Sequence, residues 1–208
     1  SLPISQPIML NRIDGHSAWV NQKAMELAGL DVAPIFPDGG DIINDCILID
    51  NAMNPVQFVM PKPDENTVKK WINLALKIII PRGITNIHDA WQDPVTVKVL
   101  QQMSANGKLP IRVYGMLGSS YPKLLKQFFK KGFFNSENYT IRSVKAFIDG
   151  ALGSRGAALL EPYSDDHSNC GLILITHDEF EKLTIRCRDA GFQLCTHAIG
   201  DRGNKMVL

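Results

Sequence analysis

The sequence predicts an α/β fold built on a parallel sheet. Four apolar, β-branched runs, Ile84–Ala90, Ile111–Leu117, Ile141–Asp149 and Phe192–Gly200, are separated by stretches of helical period long enough for crossover helices. Start and stop signals bracket those stretches. Polar residues gather at the ends of three of the four runs: His88 and Asp89, Lys145 and Asp149, and His197. In a (β/α) barrel the chemistry sits at the C-terminal strand ends. Periodicity alone leaves a barrel and a doubly wound sheet both open.

The elements follow in order. Residues 1–60 read as a turn-rich region with one helix, in "HSAWVNQKAMELAGL", closed by Gly29. Within it "APIFPDGGDI" reads as loop, and "CILIDNAM" as a short strand running into a turn. From Pro61 helices and strands alternate. Pro63–Gly83 is a helix with acidic residues at its start and Pro81-Arg82-Gly83 at its exit. "DPVTVKVLQQMSANG" has Asp93 as its cap and Pro94 at the first helical position. "YPKLLKQFFKKG" is a third helix. "THDEFEKLTIRCRDAG" opens on a capping box, Thr176 with Glu179, and "DRGNKMVL" begins another helix.

Composition narrows the function. A chain of 208 residues with 45% hydrophobic side chains can bury a core. Its 22 basic and 21 acidic residues nearly cancel, which leaves no footprint for nucleic acid or an anionic membrane. The longest apolar run, Leu74–Ile80, is too short to span a bilayer. "SLPISQPIML" shows no basic region followed by an apolar core, so no signal peptide is expected there, and Cys46, Cys170, Cys187 and Cys195 form no CxxC pair. A cytoplasmic protein with reduced thiols is expected. The missing initiator Met suggests an excised or processed piece.

Lys145 is the oddest residue: an ammonium inside an apolar strand. It can snorkel or pair with an acid. Burial lowers its pKa, and a neutral amine can form a Schiff base or add carbon dioxide. The resulting carbamate bridges two metal ions roughly 3.5–4 Å apart. Strand alternation sets Gln193, Cys195 and His197 on one face, and Lys145, Phe147 and Asp149 on one face of their own strand. If Lys145 and His197 face one interior, they can share a metal. His88 ends a strand, and His16 lies in a loop where Ser17 is placed to cap the next helix. Gly150, Gly153 and Gly156 let the backbone approach a ligand, and Arg155 can clamp a carboxylate or pair with Asp149 or Glu161.

"RIDGHSAWVNQKAMELAGL", "GITNIHDA", "VKAFIDGALGSRGAALLEPYSDD" and "FQLCTHAIGDRGNKMVL" resemble, in order, motifs of the YtcJ-like amidohydrolases, a branch of the metal-dependent hydrolase superfamily. The resemblance runs from about Met9 to the last residue. It implies a (β/α)8 TIM-type barrel, here incomplete at strands two to five. Residues 1–60 would be the insertion between the first and second barrel strands, and 61–208 the partial barrel. It implies divalent metal, zinc, with one or two ions in the full-length enzyme, and cleavage of amide or related C–N bonds in a small-molecule substrate. By the same resemblance Lys145, carboxylated, and His197 are metal ligands. Asp14, His16, His88, Asp89, Asp149 and Arg155 are then substrate-side residues.

The departures are as informative. The superfamily carries an HxH pair on the first strand, and none occurs in this sequence. Its strand-six histidine and strand-eight catalytic aspartate are also not matched. The expectation is therefore a central portion of an amidohydrolase, inactive as this isolated chain, with homo-oligomers forming through exposed barrel edges. A non-catalytic binding or regulatory protein derived from a decayed barrel is the alternative, and a Schiff-base lyase using Lys145 is a third reading.

Overall fold

A computed structural model describes residues 5–31 and 38–208. They form two compact units, one of Ser1–Pro61, Phe147–Glu179 and His197–Leu208, the other of Lys62–Ala146 and Phe180–Thr196. One division between the units falls after Pro61. Beyond it, however, the chain is divided between the units, because two later segments pack with the N-terminal residues.

In the first unit, β1 (Met9–Asn11) pairs antiparallel with β2 (Ser17–Val20), Met9 opposite Val20. The helix expected across His16–Leu30 is confined to α1 (Gln22–Leu27). Ser17–Val20 is strand instead, because it pairs on its other side with β4. Cross-strand pairing overrides the helical period there. The cap of α1 is consequently Asn21, whose Oδ1 accepts from Ala24 N at 3.0 Å, and not Ser17. Part of the expected loop, Gly40–Ile43, is strand β3; residues 33–37 of that loop lie outside the described residues. β4 (Ile47–Asp50) runs into a 3-10 turn, as expected, and then into the short α2 (Asn54–Val59), which the sequence reading missed. The sheet order is β1-β2-β4-β3. Ala18, Val20, Met25, Leu48, Met53 and Val56 form its core.

The second unit follows the predicted alternation closely. α3 (Glu65–Ile79) is capped by Asp64, which accepts from Thr67 N at 2.8 Å, and the chain leaves it through Gly83 at φ +76°. β5 (Asn86–Gln92), α4 (Pro94–Ala105), β6 (Arg112–Gly118) and α5 (Pro122–Lys131) come next. Asp93 caps α4 through Thr96 N at 2.7 Å. β7 (Phe134–Asn135), too short to show a period, pairs antiparallel with β8 (Tyr139–Phe147). α6 (His177–Asp189) opens on the expected box, with Thr176 Oγ1 donating to Glu179 at 2.7 Å, and leads to β9 (Gln193–His197), which pairs with β8. α7 (Asp201–Val207) follows, back in the first unit.

β5, β6 and β8 are parallel, with His88 opposite Tyr114 and Gly118 opposite Lys145. Ile87, Val113, Leu117, Val144 and Ala146 point into a core with Val68, Leu76, Val99, Leu125 and Leu183 of the helices. The opposite face carries His88, Tyr114, Met116 and Lys145, none of them fully buried. This is an open α/β sheet, not a closed barrel.

Candidate functional site

The first unit assembles most of the polar residues. The β1–β2 hairpin turns through Arg12–His16, closed by Arg12 N donating to Ser17 O at 2.8 Å and Gly15 N to Arg12 O at 2.9 Å. Asp14 Oδ1 accepts from His16 N at 3.1 Å, and Asp14 Oδ2 lies 3.4 Å from Arg12 Nε. Since Ser17 opposes Ile49, the next pair along the ladder is His16 with Asp50. Asp50 N donates to His16 O, and the His16 Nδ1 sits 2.7 Å from Asp50 Oδ1. That bond raises the His16 pKa above its ordinary value, against burial, which lowers it; the charges of Asp50, Asp14 and Asp149 add to the rise.

Asp50 escaped the sequence reading. Its side chain is only 1% exposed and its backbone adopts φ +47°, a region costly for any residue but glycine. Its Oδ2 is buried without a hydrogen-bond partner among the described residues. A Cβ at Gly150 or Gly156 would collide with that oxygen. What these glycines admit at close quarters is the chain's own carboxylate, where a ligand was expected. Strand β4 ending on an aspartate was the available signal, but its partner depends on a register that no short motif displays.

His16 stacks on His197, ring centroids 5.0 Å apart, and Phe147 lies 5.1 Å from the His197 ring. His197 Nε2 is 3.3 Å from Gly150 O and 3.8 Å from Asp149 Oδ1. Asp149 is fully buried and is spoken for: Oδ1 accepts from Ile199 N at 2.9 Å, and Oδ2 from Ala158 N at 2.9 Å and Gly200 N at 2.7 Å. It ties the glycine-rich loop to the turn that follows His197. A carboxylate whose oxygens serve three peptide N–H groups positions backbone.

Arg155 pairs neither with Asp149 nor with Glu161. The carboxylate it clamps is the chain's own exposed Asp165, through Nε at 3.3 Å and Nη2 at 2.8 Å.

Lys145, His88 and Asp89 belong to the second unit. Burial lowers the Lys145 pKa, against the nearby Cys195, which raises it. His88 is exposed, its ring centroid 5.1 Å from that of Tyr114. Asp89, its neighbour in an alternating strand, faces the other way. It accepts from Gln92 Nε2 at 2.9 Å, and Gln92 Oε1 accepts from the Tyr139 hydroxyl at 2.5 Å. Burial pushes the Asp89 carboxyl up, as it does the Tyr139 hydroxyl. A Cβ at Gly115 would collide with Gln92, so that glycine makes room for the ladder.

Among the described residues no three His, Cys, Asp or Glu side chains converge as a metal site. His16 Nδ1 and both oxygens of Asp149 are already engaged. All four cysteines are free thiols, and among the described residues no helix is long and apolar enough to cross a membrane.

Residues 5–208 match the model of the amidohydrolase family. A Bacillus subtilis (strain 168) protein bearing the name amidohydrolase YtcJ is 29% identical over 214 residues, which covers 98% of this chain and 40% of that protein. Protein LONG AFTER FAR-RED 3 of Arabidopsis thaliana is 30% identical over 220 residues, 97% of this chain and 38% of its own. The crystal structure of an uncharacterized metal-dependent hydrolase from Pyrococcus horikoshii OT3 superposes with a TM-score of 0.72 at 25% identity, covering 98% of this chain and 41% of that one. The chain thus spans about two-fifths of the length of these relatives.

Proposed function

Because the chain belongs to the amidohydrolase family, we propose that it supplies part of a (β/α)8 hydrolase that cleaves an amide or related C–N bond of a small molecule with a divalent metal, zinc. The observation that carries this reading is the His16–Asp50 pair stacked on His197 beside a glycine-rich loop. Asp50 holds the His16 ring by Nδ1, which leaves Nε2 as the nitrogen offered to a bound molecule. Asp149 positions the His197 turn through its three peptide contacts. His88, on an exposed strand face, is a further substrate-side residue.

The family relation adds the metal, which when bound makes water a nucleophile at neutral pH. His197 and Lys145 are the residues this chain would offer it, and the lowered Lys145 pKa suits carboxylation. Two ligands do not fit a closed set of about four. The dialysed chain is therefore expected to hold less than one equivalent of zinc, less still in His197→Ala, and to turn over no amide. Zinc content indifferent to His197 would sink the ligand assignment. An HxH motif upstream and an aspartate downstream in the coding sequence would support a hydrolase. The shortage of donors also favours a second reading, a non-catalytic binding protein, which a coding sequence lacking both would select.

A further inference from the structure

We propose that Arg12 is the group that receives a substrate carboxylate, so that the molecule bound beside His16 is an amide bearing an acidic function. This rests on the hydrolase reading and names its substrate class. Arg12 and His16 are the two ends of one tight turn. The glycine-rich loop lies against both: Gly150 and Gly156 abut Asp50, which holds His16, and Gly153 abuts Arg12. A Cβ at Gly153 would collide with Arg12 Nη2, so the guanidinium rests on bare backbone.

Asp14 engages Arg12 only through Nε, at 3.4 Å, while the other Asp14 oxygen serves His16 N. Among the described residues Nη1 and Nη2 of Arg12 have no hydrogen-bond partner, and the side chain is 43% exposed. A guanidinium edge left open in this way matches the two oxygens of a carboxylate. Arg155 is not equivalent, since Asp165 fills its fork. The surroundings also call for a cation: Asp14, Asp50 and Asp149 would repel an incoming acid, and Arg12 is the positive group on the same turn as His16. Lysine could supply charge there but not two parallel donors.

The test is a titration of the 208-residue chain with N-acetylalanine and with N-acetylalaninamide, followed by the backbone amide shift of Gly153. The acid should saturate, and the amide, lacking the charge, should bind roughly 10- to 100-fold more weakly. Arg12→Ala should reduce the acid to the level of the amide, and Arg12→Lys should recover part. Equal binding of acid and amide, indifference to Arg12→Ala, or no saturable shift at Gly153 each overturns the assignment. Zinc content of wild type and His197→Ala, read on the same preparations, judges the hydrolase reading separately. Arg12-dependent acid binding without His197-dependent zinc would remove that reading and leave Arg12 as the carboxylate receptor of a non-catalytic site.

Discussion

Asp50 occupies backbone space that costs a non-glycine residue about 1–3 kcal/mol, and it does so where its carboxylate meets His16. The two glycines pressed against it explain how it fits. Gly150→Ala and Gly156→Ala should each cost about 1–3 kcal/mol in urea unfolding, through overpacking. The cost of Gly150→Ala should shrink in an Asp50→Ala background; an equal cost in both would show that the clash lies elsewhere. Asp89 gives a pH test. Burial raises its folded pKa above the ordinary 3.8, so its contribution is fully present below that value and is lost as pH rises through the folded pKa. Asp89→Asn should therefore gain on wild type between strongly acidic and neutral pH, and a pH-independent difference would contradict the burial argument. Lys145, His197 and His16 could be picked out from sequence because their residue types are conspicuous where they stand. Asp50 and Arg12 could not, since an aspartate at a strand's end and an arginine in a turn are ordinary until the cross-strand register and the glycine loop are known.

At the scale of elements, local chemistry decided the long helices and failed on the short ones. Asp64, Asp93 and the Thr176–Glu179 box cap their helices as their spacing predicts. α1 is only six residues long, too short to be stable by itself. It depends on Asn21, whose Oδ1 also accepts from Ile8 N at 2.9 Å and whose Nδ2 donates to Gln6 O at 2.9 Å. Asn21→Ala should cost about 1–2 kcal/mol, and Asp93→Ala, a cap with one bond in a longer helix, about 1 kcal/mol. Equal midpoint shifts for the two variants would deny Asn21 its role in tying β1 to α1. The local period of Ser17–Val20 fits helix and strand alike; pairing with β1 and β4 on either side makes it a strand.

At the scale of the molecule, the open sheet matters most. β5 ends the strand order, and α3 beside it in sequence exposes Trp71, Leu74 and Ile78 along one stripe. An unpaired strand edge and an apolar stripe both favour a second copy of the chain. Sedimentation across a concentration series should show self-association that Trp71→Glu with Ile78→Glu reduces. A wild type that stays monomeric throughout would refute it.

The amino-acid sequence by itself determined the alternation of helices and strands after Pro61, the helix caps and the family, because those depend on neighbours a few residues apart. Only the tertiary structure decided that Asp50 holds His16, that Asp149 is consumed by peptide N–H groups, and that Arg155 is occupied while, among the described residues, the terminal nitrogens of Arg12 have no hydrogen-bond partner. The His16–Asp50 and Asp149–Gly200 contacts join residues 34 and 51 positions apart, Asp149 also reaches Ala158 9 positions on, and only one of two arginines has its fork filled by an acid; no short motif encodes these pairings.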